Sequence, residues 1–112
     1  MPDSALSHFH WLWPTFTRNV LPGAPNLTVF YFVPIAPDRT LTVSDSFYGD
    51  DVTEEEIASI RDFGNQVFAE DQALVESIQR AAASGGLNEG RLMLSSEHLI
   101  QHFQRLVERT LA

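Results

Sequence analysis

A chain of 112 residues that is 44% hydrophobic and 11% aromatic is long enough for one domain with a core and too apolar for a disordered tail. Fifteen acidic residues against seven basic ones, every one of them Arg, leave a formal net charge of −8, which argues against nucleic acid and anionic lipid as partners. There is no Cys, so disulfides, thiolate zinc sites, Cys-held clusters and a Cys nucleophile are excluded within these residues. No apolar run approaches a membrane span and the first residues lack the pattern of a signal peptide, so the expected compartment is the cytoplasm.

After a short polar lead, His8 to Val20 is rich in aromatics and reads as a strand, with Pro14 marking a bulge, an edge or a break within it. Leu27 to Ile35 is apolar nearly throughout. That predicts a second strand, buried on both faces, ending at the tight-turn sequence Ala36-Pro37-Asp38-Arg39. Thr40 to Tyr48 alternates in part and gives a third strand, so the expected sheet is a three-stranded antiparallel meander. Gly49-Asp50-Asp51 then breaks the sheet, and Thr53-Glu54-Glu55-Glu56 has capping-box spacing with acidic residues at the positive end of a helix dipole. The helix that starts there runs to Ser84-Gly85-Gly86, with an interruption or a close approach expected at Gly64. A second helix starts at Ser95-Ser96-Glu97 and carries Leu99, Phe103, Leu106, Val107 and Leu111 at helical spacing.

One carboxylate sits where the pattern does not want it. At roughly 100° per residue the apolar positions Ile57, Ile60, Gly64, Val67, Phe68, Leu74, Val75, Ile78 and Ala82 gather on one side of the long helix, and Asp71 falls in the middle of that stripe. A buried, unpaired carboxylate costs several kcal/mol even after relaxation, about as much as a whole side chain's burial returns. Asp71 must therefore be ion-paired, hydrogen-bonded, protonated or metal-bound, unless the helix is rotated so that it lies at the rim. His8 and His10 share one face of a strand, and His98 and His102 are four apart on a helix. Both spacings can hold a metal, but two spaced His more often serve ring packing, partial exposure or backbone hydrogen bonds, and that is the reading preferred for each pair.

The order of several short pieces is familiar. The aromatic-Leu-Trp-Pro strand at His10 to Pro14, Pro34 to Thr40, Glu70-Asp71 with Leu74 to Gln79, Gly90-Arg91, and Glu97 followed by His102-Phe103 resemble the C-terminal part of a known catalytic domain. That domain is the one of Rieske-type non-haem iron oxygenases, the alpha subunits of ring-hydroxylating oxygenases and their relatives acting on carnitine, choline and betaine. The resemblance implies that Asp71 is the carboxylate of a two-His-one-carboxylate set holding a mononuclear Fe(II). It places the family's two iron-binding His on an upstream helix, and the His and Cys of the 2Fe-2S Rieske cluster further upstream still. Neither segment falls within these residues, and His8 and His10 do not inherit the ligand role.

The expected fold is therefore α+β, an antiparallel sheet fragment packed on a long helix, part of a helix-grip (Bet v 1-like) domain, with residues 1–112 as a single partial domain. A cut sheet leaves an unpaired edge and exposes Trp11, Trp13 and the aromatics of Leu27 to Ile35, which predicts association or poor solubility. The resemblance implies O2 and an organic substrate, aromatic or quaternary-ammonium. Electrons would come from NAD(P)H through a reductase or ferredoxin, and the assembly would be a homo-oligomer, a trimer in the family. Phe63, Val67, Phe68, Leu74 and Val75 are the candidates for the pocket wall. From the residues alone, a non-catalytic domain enclosing an apolar ligand and an inactive remnant stay open as alternatives.

Overall fold

The computed structural model describes residues 5–87 and 89–112. Four strands come first, β1 (His8–Leu12), β2 (Phe16–Val20), β3 (Asn26–Ala36) and β4 (Arg39–Tyr48), followed by two helices, α1 (Glu54–Ala83) and α2 (His98–Leu111). The sheet is antiparallel throughout, in the order β1-β2-β3-β4. It is a meander, as expected, but with one strand more than the sequence predicts. Pro14 is the reason: it has no N–H to give a ladder, so the run from His8 to Val20 folds back on itself through a turn at residues 13–15, and His8 pairs with Val20. Pro34 is tolerated inside the long strand β3 because β2 begins at Phe16, opposite Tyr31, so Pro34 lies past the end of its neighbour's ladder.

Register fixes two faces. Trp11, Thr17, Phe30 and Ser44 form one row across the sheet, and Phe9, Asn19, Thr28 and Ser46 the next. The other face carries Leu12, Phe16, Tyr31 and Val43 in one row and His10, Arg18, Val29 and Asp45 in another. The loop between β2 and β3 is closed by Asn26, whose side chain accepts from the Leu21 N–H and donates to the Leu21 and Ala24 carbonyls at 2.8–2.9 Å.

The chain divides into two compact units, Met1–Val75 and Glu76–Ala112. In the first, the capping box predicted at the start of α1 is formed: the Thr53 N–H and hydroxyl both donate to Glu56 Oε2, at 2.8 and 2.7 Å, and the Glu56 N–H donates to Thr53 Oγ1 at 3.3 Å. α1 is unbroken through Gly64, and a Cβ added there would have nothing within 4 Å, so neither an interruption nor a close approach is found. α1 meets the sheet where Phe68 stacks on Phe30, ring centroids 6.2 Å apart and planes parallel to within 1°. Among the described residues only Ala24 and Val29 are buried. Burial of Leu27 to Ile35 on both faces is not borne out, since Tyr31, Val33 and Ile35 are 44–57% exposed. Strand composition reports the need for burial, and four strands with one helix leave one sheet face without a cover.

In the second unit, α1 ends in the pair of bonds that closes a helix around a left-handed glycine. Gly86 N–H donates to the Ala81 carbonyl, Gly85 N–H to that of Ala82, and Gly85 has φ +76°. α2 starts one residue after Glu97, whose carboxylate turns back to accept from the Met93 N–H at 2.6 Å instead of capping the helix. Leu99, Ile100, Phe103 and Leu111 are exposed on it. Among the described residues no helix is long and apolar enough to cross a membrane.

Candidate functional site

The capping box sets where α1 begins, and the helical repeat then sets which residues share its sheet-facing side. Phe68 marks that side through its contact with Phe30. Asp71 follows one turn later, three residues after Phe68 and four after Val67, so the helical repeat puts it near the side that Phe68 marks. Its burial is different. Asp71 is exposed, and no buried polar or charged residue occurs among the described residues. The expected inward carboxylate is thus a rim carboxylate within these residues, because the sheet reaches α1 at Phe68 and offers no cover one turn on. Among the described residues no group donates a hydrogen bond to it, while its neighbour Glu70 accepts from Gln66 Nε2 at 3.1 Å.

Of the five residues expected to line a pocket, Phe63 does so. It joins Leu21, Pro22, Ser59 and Ile60 around a half-open groove of about 310 Å³ between the β2–β3 loop and the first turns of α1. Phe68 instead makes the ring contact with the sheet. Val67, Leu74 and Val75 are 40–63% exposed. Asp71 lies two turns beyond Phe63, about 12 Å along the helix axis, outside this groove.

Periodicity within α1 gave no hint of the sheet residues that share its side. Trp11, Phe30 and Phe32 lie on the helix-facing side of the sheet, with Phe30 and Phe32 stacked at 6.3 Å and Trp11 edge-on to Trp13 at 5.7 Å. Hydroxyls run between them: Thr17, Thr28, Thr42, Ser44 and Ser46 share the same face, and Thr28 and Ser46 are hydrogen-bonded at 3.0 Å. The signal that finds this face is the strand period of two, which puts Phe30 and Phe32 on one side and Tyr31 and Val33 on the other. This sheet face is a surface of aromatic rings and hydroxyls without charged side chains, suited to an organic molecule.

The histidines are apart from Asp71 in role. His8 and His10 stack at 6.4 Å on the side of the sheet away from α1, and His98 and His102 are exposed on α2. Among the described residues no three His, Cys, Asp or Glu side chains come together to hold a metal ion. The donor set here is a single hard oxygen ligand. A carboxylate oxygen is a donor of the kind Fe(II) takes, and a single one does not by itself make a metal site.

Compared with known proteins, residues 2–112 match the family described as the ring hydroxylating alpha subunit, catalytic domain. The carnitine monooxygenase oxygenase subunit of Acinetobacter baumannii is 36% identical over 108 residues, which cover 89% of this chain and 29% of that protein. The subunit of the same description from Escherichia coli K12 is 35% identical over 111 residues, 92% of this chain and 30% of the relative. The chain therefore spans less than a third of the length of the curated relatives it matches. No solved structure matches it significantly.

Proposed function

Since this chain belongs to the ring-hydroxylating oxygenase alpha subunit family and corresponds to part of its catalytic domain, we propose that it forms the C-terminal part of an oxygenase in which Asp71 is the one carboxylate ligand of a mononuclear Fe(II). The observation that carries this reading is Asp71 itself, an unpaired carboxylate on the sheet-facing side of α1, in a segment that matches the family along its whole length. When bound, the iron supplies the activation of O2. The net reaction is hydroxylation of an organic substrate, in which O2, two electrons and two protons convert a C–H bond to C–OH and release one water. The electrons come from NAD(P)H by way of a reductase or ferredoxin and a 2Fe-2S Rieske cluster carried by other parts of the intact enzyme. The two iron-binding imidazoles are carried by those parts as well, and the intact enzyme is a homo-oligomer.

The residues of this chain have three tasks in that scheme. Asp71 donates an oxygen to the metal. Trp11, Phe30 and Phe32 present π faces on the α1 side of the sheet, and with Val67, Phe68, Leu74 and Val75 they exclude water once the rest of the domain encloses them. The third task concerns the substrate. The relatives are carnitine monooxygenase subunits, which supports a quaternary-ammonium substrate; aromatic faces hold such a cation by its ring-quadrupole attraction, worth about 2 kcal/mol when desolvated.

The test is a chimera in which residues 2–112 replace the matching segment of a carnitine monooxygenase oxygenase subunit. Carnitine-dependent O2 uptake coupled to product is the expected outcome. A chimera that folds and loads iron yet takes up O2 only with an arene would move the substrate class. One that folds and loads no iron would refute the proposal.

A further inference from the structure

β4 turns hydroxyls, not apolar side chains, toward α1. Its even-numbered residues Thr40, Thr42, Ser44 and Ser46 share one side of the sheet with Phe30 and Phe32, and Leu41, Val43 and Phe47 share the other. Phe30 meets Phe68 of α1, which fixes the hydroxyl side as the helix side. A strand that served only to pack a helix would present its apolar residues there. Thr42, Phe30 and Phe32 are half-buried on that side, so hydroxyls and rings share the covered face.

Register sets each hydroxyl beside a definite neighbour. Ser46 is opposite Thr28, and the two hydroxyls are bonded at 3.0 Å. Ser44 is opposite Phe30 and Thr42 opposite Phe32, with about 5 Å between the Cβ atoms of each pair, and a phenyl ring has no polar group to offer a hydroxyl. A hydroxyl enclosed without a partner is costly, and it donates most strongly to an anion. We propose that Thr42 and Ser44 form a polar subsite that receives the carboxylate of a quaternary-ammonium substrate whose cationic head lies on Phe30 and Phe32. The assignment rests on the quaternary-ammonium reading above and extends it from one end of the molecule to both. In a compound with four bonds between the nitrogen and the carboxylate carbon, the two ends are about 5 Å apart when extended, which is the spacing of a ring and its cross-strand hydroxyl. The sheet face holds no charged side chain, so the hydroxyls bind the carboxylate without setting a positive charge beside the ammonium head.

The test is equilibrium binding, by titration calorimetry, to the chimera in which residues 2–112 replace the matching segment of a carnitine monooxygenase oxygenase subunit. Two probes are compared: carnitine, and butyltrimethylammonium, which has the same head and chain length and no oxygen. The chimera is expected to prefer carnitine. Thr42→Val and Ser44→Ala should each cut that preference about tenfold or more, the loss expected for a hydrogen bond to a charged group, and Ser44→Thr, which keeps the hydroxyl, should retain it. Phe30→Leu should weaken both probes alike and leave their ratio in place. Thr42→Val keeps the side chain's shape and strand preference, so the fold survives in that variant even where Ser44→Ala loosens it. A preference for carnitine that persists in full in both Thr42→Val and Ser44→Ala would overturn the subsite and leave the ammonium reading standing. A chimera that binds neither probe would overturn the ammonium reading, and the subsite with it.

Discussion

Glu56 serves the start of α1 twice, with a carboxylate that receives both the Thr53 N–H and the Thr53 hydroxyl. The backbone bond first and the hydroxyl second hold its carboxyl below the ordinary glutamate value. A depressed carboxylate contributes stability that is present above its unfolded value and is lost as pH falls through the folded one. Titration followed by carboxyl NMR should thus give Glu56 a midpoint below that of a free glutamate. Amide protection at Ile57, whose N–H donates to the Thr53 carbonyl, should fall with it; a midpoint at or above the ordinary value would mean the box is not formed in solution. Phe68 is the other residue with a measurable share. It is 39% exposed, so Phe68→Ala should cost about 1–2 kcal/mol, less than the 3–5 of a fully buried ring, and most of that should vanish in a Phe30→Ala background. Additive losses in the double-mutant cycle would show that the two rings do not meet.

At the scale of elements, what was legible in the sequence was local. The Thr53-to-Glu56 spacing, the Ser84-Gly85-Gly86 ending and the turn at residues 37–38 each carry their geometry in adjacent residues, and each is found where the sequence puts it. Pro14 was legible only as a disruption. Whether a proline without a donor bulges a strand or turns it back depends on what the following residues can pair with, and here Phe16 to Asn19 pair with both β1 and β3. The burial of β3 and of Asp71 was not legible in their own residues, because burial is a property of what lies opposite. Periodicity assigned Asp71 to one side of α1 and said nothing about whether that side is covered. Gly64 offers the plainest test at this scale. It is helical, and a Cβ there would meet nothing within 4 Å. Gly64→Ala should therefore raise stability by about 0.5–1 kcal/mol, read from denaturant unfolding. A loss of stability would reveal a neighbour that approaches the glycine backbone.

For the molecule as a whole, an apolar composition stands beside only two buried side chains among the described residues, Ala24 and Val29. Large apolar side chains lie exposed along β3, β4 and α1, and burial of each returns about 1.5–3 kcal/mol when a cover is supplied. The relatives are more than three times as long as the stretch they share with this chain. The chain alone should consequently unfold at low urea, with a stability at or below about 5 kcal/mol, the lower end for natural domains. In the chimera with the remaining part of a carnitine monooxygenase subunit, the same strands should gain hydrogen-exchange protection. The measurement that bears most directly on the central claim is the iron content of that chimera with and without Asp71→Ala. The account predicts that the variant keeps its helical circular dichroism and loses bound iron and turnover together. A variant that retains full iron content would contradict it and leave Asp71 as a surface carboxylate of α1.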